Sequence, residues 1–93
     1  MYVGRARAEL RLPAGGSLKD KRRSIKGVLT RLRNRHEVAA AEVARQDDHH
    51  RAALGVAAVS GDRRHLLAQL AKVEAYLAAL PEAILLEFEV EVV

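Results

Sequence analysis

The chain has no cysteine and no tryptophan, and only one phenylalanine and two tyrosines in 93 residues. Without cysteine there is no disulfide framework, no thiolate metal site and no thiol nucleophile. With aromatics at 3%, the base stacking by which sheet-face RNA binders work has almost no material. No apolar run reaches the ~20 residues that a membrane-spanning helix needs. The first residues, Met1-Tyr2-Val3-Gly4-Arg5-Ala6-Arg7, lack the apolar stretch of a secretory signal. A cytoplasmic protein with no membrane partner and no cofactor is the expectation.

What is present fits a soluble globular chain: 49% apolar and 30% charged residues. A chain of this length builds one core, so residues 1–93 are expected to form a single domain. The net charge of +4 hides a polarity. From Ser17 to His36 there are eight Lys or Arg against Asp20 alone, whereas Pro81 to Val93 holds four Glu and no base. The basic pole is either a phosphate-facing surface or simply a solvated helix face.

Periodicity divides the chain. From Val3 to Leu12, Ala6, Ala8, Leu10 and Leu12 alternate with Arg5, Arg7, Glu9 and Arg11, the period of a half-buried strand. Pro13-Ala14-Gly15-Gly16 ends it. Ser17 followed by Asp20 resembles a capping box. Leu18, Ile25, Val28, Leu29 and Leu32 then recur at helical spacing. Lys19, Arg23, Lys26, Thr30 and Arg33 make a separate ridge on that helix. Lys21 and Arg22 stand at the margins of the apolar face, where their stems should cover the core edge and their heads reach outward.

Glu37 to Val43 reads as a second strand, although its alanines favour helix. A polar connection, Arg45 to His50, precedes an apolar third strand from Ala52 to Val59 that suits burial on both faces. Gly55 in it suggests close backbone approach. Ser60-Gly61-Asp62 starts a second helix carrying Leu66, Leu70, Val73, Leu77 and Leu80, which Pro81 stops. In the last strand, Ile84, Leu86, Phe88, Val90 and Val92 alternate with Leu85, Glu87, Glu89, Glu91 and Val93.

The order is βαββαβ. Two helices on one face of a four-stranded antiparallel sheet close such a chain, giving an α+β, ferredoxin-like fold. Right-handed crossovers place the first and third strands side by side, with the last strand antiparallel to the first. Arg5, Arg7 and Arg11 should then face Glu87, Glu89 and Glu91 across neighbouring strands.

Three segments carry a family resemblance. Leu10-Arg11-Leu12-Pro13, then Ser17-Leu18-Lys19-Asp20-Lys21-Arg22, then Gln46-Asp47 ahead of Arg51-Ala52-Ala53-Leu54-Gly55-Val56 together resemble the YlxP-like family of small bacterial proteins, a domain of unknown function. The resemblance covers nearly the whole chain. It implies a ferredoxin-like fold, no assigned enzymatic activity, and a role near RNA or the ribosome, since genes of this family often lie among those for translation. One departure stands out. The family commonly has leucine and tryptophan after the Gln-Asp pair, where this chain has Asp48 and His49.

The candidate nucleic-acid-binding residues are Lys19, Lys21, Arg22, Arg23, Lys26 and Arg33, contacting phosphates of RNA or a ribosomal particle. The rival reading is a self-associating adaptor. Ala53, Gly55, Ala57 and Val59 should lie on the sheet face that the helices leave open, and such a face invites a homodimer. Asp47-Asp48-His49-His50 offers carboxylate and imidazole ligands, but neighbouring loop residues seldom converge on one ion, so no metal is expected. Catalysis is not expected either. Acyl-phosphate hydrolases of this topology cradle phosphate with an Arg and an Asn, but the one asparagine, Asn34, lies far from the Pro13–Ser17 turn, which has no arginine. There is no Gly-x-Ser-x-Gly motif.

Overall fold

A computed structural model describes residues 1–13 and 16–93, so Ala14 and Gly15 of the expected glycine turn lie outside the described residues. The elements run β1 (Tyr2–Arg11), α1 (Leu18–His36), β2 (Ala39–Ala44), β3 (Arg51–Ser60), α2 (Arg63–Ala78) and β4 (Ile84–Val92). The strands form one antiparallel sheet in the order β2-β3-β1-β4. This is the ferredoxin-like α+β arrangement that the alternating periods predict.

The core lies between one sheet face and the two helices. Ala6, Ala8 and Leu10 of β1 and Ala52, Leu54 and Val56 of β3 meet Ile25, Val28 and Leu32 of α1 and Leu66, Leu70, Val73 and Leu77 of α2. Small residues on the strands let the leucine-rich helices approach closely. Gly4 marks one close approach of α2 to β1: a Cβ there would sit 2.9 Å from Leu70 Cδ1 and 3.0 Å from Leu66 Cδ2.

Local chemistry sets the helix ends. The capping box at α1 is complete: Ser17 Oγ accepts from the Asp20 amide at 3.1 Å, and Asp20 Oδ2 accepts from the Ser17 amide at 3.2 Å. Glu37 ends α1 in the left-handed region at φ 55°, and Gln69 Nε2 donates to the freed His36 and Glu37 carbonyls. The second strand therefore starts two residues later than the pattern suggests. Val38 is buried in the core as a link, and Arg45, also left-handed at φ 62°, ends the strand. Asp62 caps α2 by accepting from the Arg64 and His65 amides.

Two expectations change at the sheet. β3 is buried on both faces only from Ala52 to Leu54, while Ala57 and Val59 are exposed on the side away from the helices. The alternation of β4 is broken by a bulge. Glu9 faces Glu87, but its neighbour Leu10 faces Leu85, which leaves Leu86 unpaired. Leu85 therefore joins Phe88 and Val92 against the core, while Ile84 and Leu86 are exposed.

The charge ladder also differs from the expected one, because Glu9 takes the place opposite Glu87. Arg5 meets Glu91 with an ion pair of 2.9 Å, and Arg7 lies opposite Glu89. Arg11 faces Ile84, not a glutamate, and Arg7 reaches Glu9 at 3.3 Å. Glu87 and Glu89 are left side by side. A shared hydrogen bond with Glu89 and its charge, reinforced by Glu9 and opposed by Arg7, push the Glu87 carboxyl above its usual range. A carboxyl held more tightly protonated in the folded state contributes stability at acid pH that is lost as pH rises through its folded pKa. Glu87→Gln is therefore expected to leave the melting temperature nearly unchanged at acid pH and to raise it at neutral pH. Thermal melts at the two extremes check this.

Candidate nucleic-acid interface

The cations of α1 do not share one environment. Lys19, Arg23 and Lys26 are exposed and enter no ion pair among the described residues. With Arg22 and Arg33 they occupy one sector of the helix, about 100° wide at 3.6 residues per turn. The only acid of the first turn, Asp20, is occupied by the capping box. Nothing acidic on α1 itself therefore neutralises the ridge.

Lys21 does not belong to that surface. It is 3% exposed, its Nζ lies 3.0 Å from Glu42 Oε2, and it donates to the Arg45 carbonyl. The expected outward reach fails because Glu42 of β2 points to the helix side and sits beneath Lys21. An ammonium enclosed with a carboxylate and a carbonyl serves the fold and is closed to a ligand. Sequence periodicity places Lys21 at the core margin but cannot pair residues so far apart. The one signal is Glu42 itself, an acid on the inward parity of an alanine strand.

Arg22 and Arg33 are partly committed. Arg22 approaches Asp47 at 3.9 Å with both side chains exposed, a contact of little energetic weight. Arg33 Nη2 donates to the Ala40 carbonyl at 2.7 Å, tying the helix to β2. The open ridge is therefore Lys19, Arg22, Arg23 and Lys26, with Arg33 tethered at its far end.

The connection from Arg45 to His50 lies against the start of this ridge. The side chains of Asp47, Asp48 and His49 go to different partners. Asp47 extends toward Arg22, Asp48 Oδ1 accepts from the His50 amide at 2.8 Å and the Arg51 amide at 3.1 Å, and His49 Nδ1 is 3.2 Å from the Gly16 carbonyl. The amide of His50, foremost, and that of Arg51 hold the Asp48 carboxyl below its ordinary value. Among the described residues no three His, Asp or Glu groups converge as metal ligands. The same connection carries a cluster that the sequence does not reveal. Glu9, its side chain 12% exposed, gathers Arg45 at 3.0 Å, Arg7 at 3.3 Å and Arg51 at 3.8 Å.

The hydroxyls near these turns are also engaged locally. Ser17 caps α1, and Ser60 Oγ accepts from the Asp62 amide at 3.0 Å. Asn34 is exposed near the end of α1, remote from the turn that a phosphate-cradling site would need.

A family model described as "Protein of unknown function (DUF503)" matches residues 3–90. The chain belongs to the DUF503 family. It is similar to the "Uncharacterized protein YlxP" of Bacillus subtilis (strain 168), with 38% identity over 80 residues, covering 86% of this chain and 87% of that protein. The three sequence segments that carry the resemblance all lie within the residues matched by the DUF503 model. Two of them, the Ser17–Arg22 turn and the Gln46–Asp47 connection, meet in space through the Arg22–Asp47 and His49–Gly16 contacts. The DUF503 match names no activity, and no described helix is long and apolar enough to cross a membrane.

Proposed function

We propose that this protein binds RNA, free or within a ribosomal particle, through the open ridge of α1, and that it does so without catalysis. The observation that carries the reading is the exposure of Lys19, Arg23 and Lys26 on one helix face with no ion pair among the described residues. Their charges meet phosphates, which fix position without reading sequence. The helix-free sheet face contributes little stacking, since the residues of β1 and β3 on that side are valine, arginine, glutamate, alanine and glycine. Arg22 joins the contact by exchanging its weak internal partner for phosphate, and Arg33 adds its charge while staying tied to the Ala40 carbonyl. Lys21 takes no part.

The test is binding to ribosomal subunits and to single-stranded RNA across a salt series, comparing the native chain with the triple variant Lys19→Glu, Arg23→Glu, Lys26→Glu. Binding should fall steeply with salt. The variant should flatten the logarithmic salt slope by about 2 units, roughly 0.7 for each phosphate that the protein no longer neutralises. Equal binding and an equal slope would remove the proposal.

A second reading, self-association through the helix-free face, has its own support. That face forms an open trough of about 680 Å³ over Ala39, Ala41, Gly55 and Ala57, and Val43 and Val59 on it are exposed. A dimer mass that ignores both salt and the triple variant, with no RNA bound, would favour this reading.

A further inference from the structure

The two edges of the sheet are treated differently. On β2, the Ala40 carbonyl accepts from Arg33 and the Glu42 carbonyl from Gln46 Nε2 at 3.4 Å. Side chains thus occupy groups that a further strand would use. On β4 the pattern can be read from the last pair: Val3 and Val93 exchange both amide–carbonyl bonds at 2.8 Å. By antiparallel alternation Glu91, Glu89 and Glu87 bond inward to β1. The N–H and C=O groups of Phe88, Val90 and Val92 therefore point out from the free edge. Val90 is 44% exposed.

The side chains on this edge have a definite chemistry. Glu87, Glu89 and Glu91 project from one face. Arg5 satisfies Glu91, whereas Glu87 and Glu89 enter no ion pair among the described residues, and the raised pKa of Glu87 reflects that crowding. β1 already shows what satisfies such a strand. Its run Arg5-Ala6-Arg7-Ala8 alternates cation and small apolar residue, and the cations oppose Glu91 and Glu89.

We propose that the outer edge of β4, from Glu87 to Val92, takes up an extended segment of another protein in which basic residues alternate with apolar ones. The incoming cations lie opposite Glu87 and Glu89, at non-hydrogen-bonded positions where side chains approach most closely. The intervening apolar residues lie over Phe88, Val90 and Val92 and extend the covered face. Main-chain bonds supply affinity and the carboxylates supply selection. The bulge at Leu86 bends the strand and limits the site to the half beyond it. A second copy of β4 is a poor occupant, because antiparallel self-pairing on this edge sets glutamate against glutamate. The site is separate from the α1 ridge, so its failure leaves the RNA reading intact.

The probe is a synthetic peptide of alternating arginine and valine, blocked at both ends, against a control of the same composition with its arginines contiguous. Amide exchange read by NMR should show protection of Phe88, Val90 and Val92 with the alternating peptide only. The double variant Glu87→Gln, Glu89→Gln should bind about tenfold more weakly, the loss of two exposed ion pairs. Val90→Pro removes an outward donor at an edge position that tolerates proline. It should abolish the protection while β3 amides remain slow, which separates loss of the edge from loss of the fold. Equal binding of the control peptide, unchanged binding of the double variant, or protection centred on β2 or α1 would overturn the proposal. Protection that appears without peptide and grows with protein concentration would assign the edge to a second copy and overturn it equally.

Discussion

Lys21→Ala is expected to destabilise the fold by about 3 kcal/mol, the lower end of the cost of removing one partner from a buried ion pair. Lys21 is enclosed and its partner Glu42 has a side chain only 15% exposed. Truncation strands that carboxylate beneath α1 and deprives the Arg45 carbonyl of its donor. For a chain of this size the loss lowers the melting temperature on the order of 15 °C. Lys19→Ala, earlier in the same turn and exposed, should stay within about 0.5 kcal/mol. The double replacement Lys21→Met, Glu42→Leu should recover much of the loss, because two apolar groups need no partner. Urea denaturation of the four proteins checks all three statements. A cost under about 1 kcal/mol for Lys21→Ala would mean that the ammonium is solvated in the folded protein, which would return it to the candidate interface.

Leu70→Ala is the other large effect, about 3 kcal/mol within the usual 2–5 range for an enclosed leucine. Leu70 is 1% exposed and presses on β1 at Gly4, where no side chain stands between helix and strand. That contact makes a sharper prediction than the single value. Gly4→Ala alone brings its new methyl to 2.9 Å from Leu70 Cδ1 and 3.0 Å from Leu66 Cδ2, so these packed leucine side chains must leave their rotamers or α2 must move, at a cost of about 1–3 kcal/mol. In the Leu70→Ala background half of that conflict is gone. A double-mutant cycle should therefore show a favourable coupling of about 0.5 kcal/mol or more. Strict additivity would mean that the added methyl is accommodated without displacing Leu70, contrary to the close packing at Gly4.

Much of this molecule is legible in its residues. The periods of β1, α1 and α2 fix which side chains turn inward, and the Ser17–Asp20 pair announces the cap that the structure completes. Gly55 is legible too: an added Cβ would stand 2.7 Å from Val43 Cγ1, the close approach that its place in a strand suggests. What stays hidden is register and distance. One unpaired residue, Leu86, turns Ile84 outward and brings Leu85 in, and alternation alone cannot show an inserted position. The left-handed turns at Glu37 and Arg45 use residues that do not advertise positive φ. The candidate ridge suffers in the same way. Local spacing sorts Lys19, Arg23 and Lys26 correctly to solvent, but the fate of Lys21 depends on an acid in another element.

Those two left-handed residues have a consequence for how the molecule breathes. Both bracket β2, and each non-glycine residue in that region stores about 1 kcal/mol or more. Strain at both ends makes this short peripheral strand the cheapest part of the sheet to release. It does not leave by itself, because Lys21 and Arg33 fasten it to α1. Opening of β2 is thereby coupled to the α1 residues that hold it, and its amides should exchange more slowly in the native chain than in a Lys21→Ala variant.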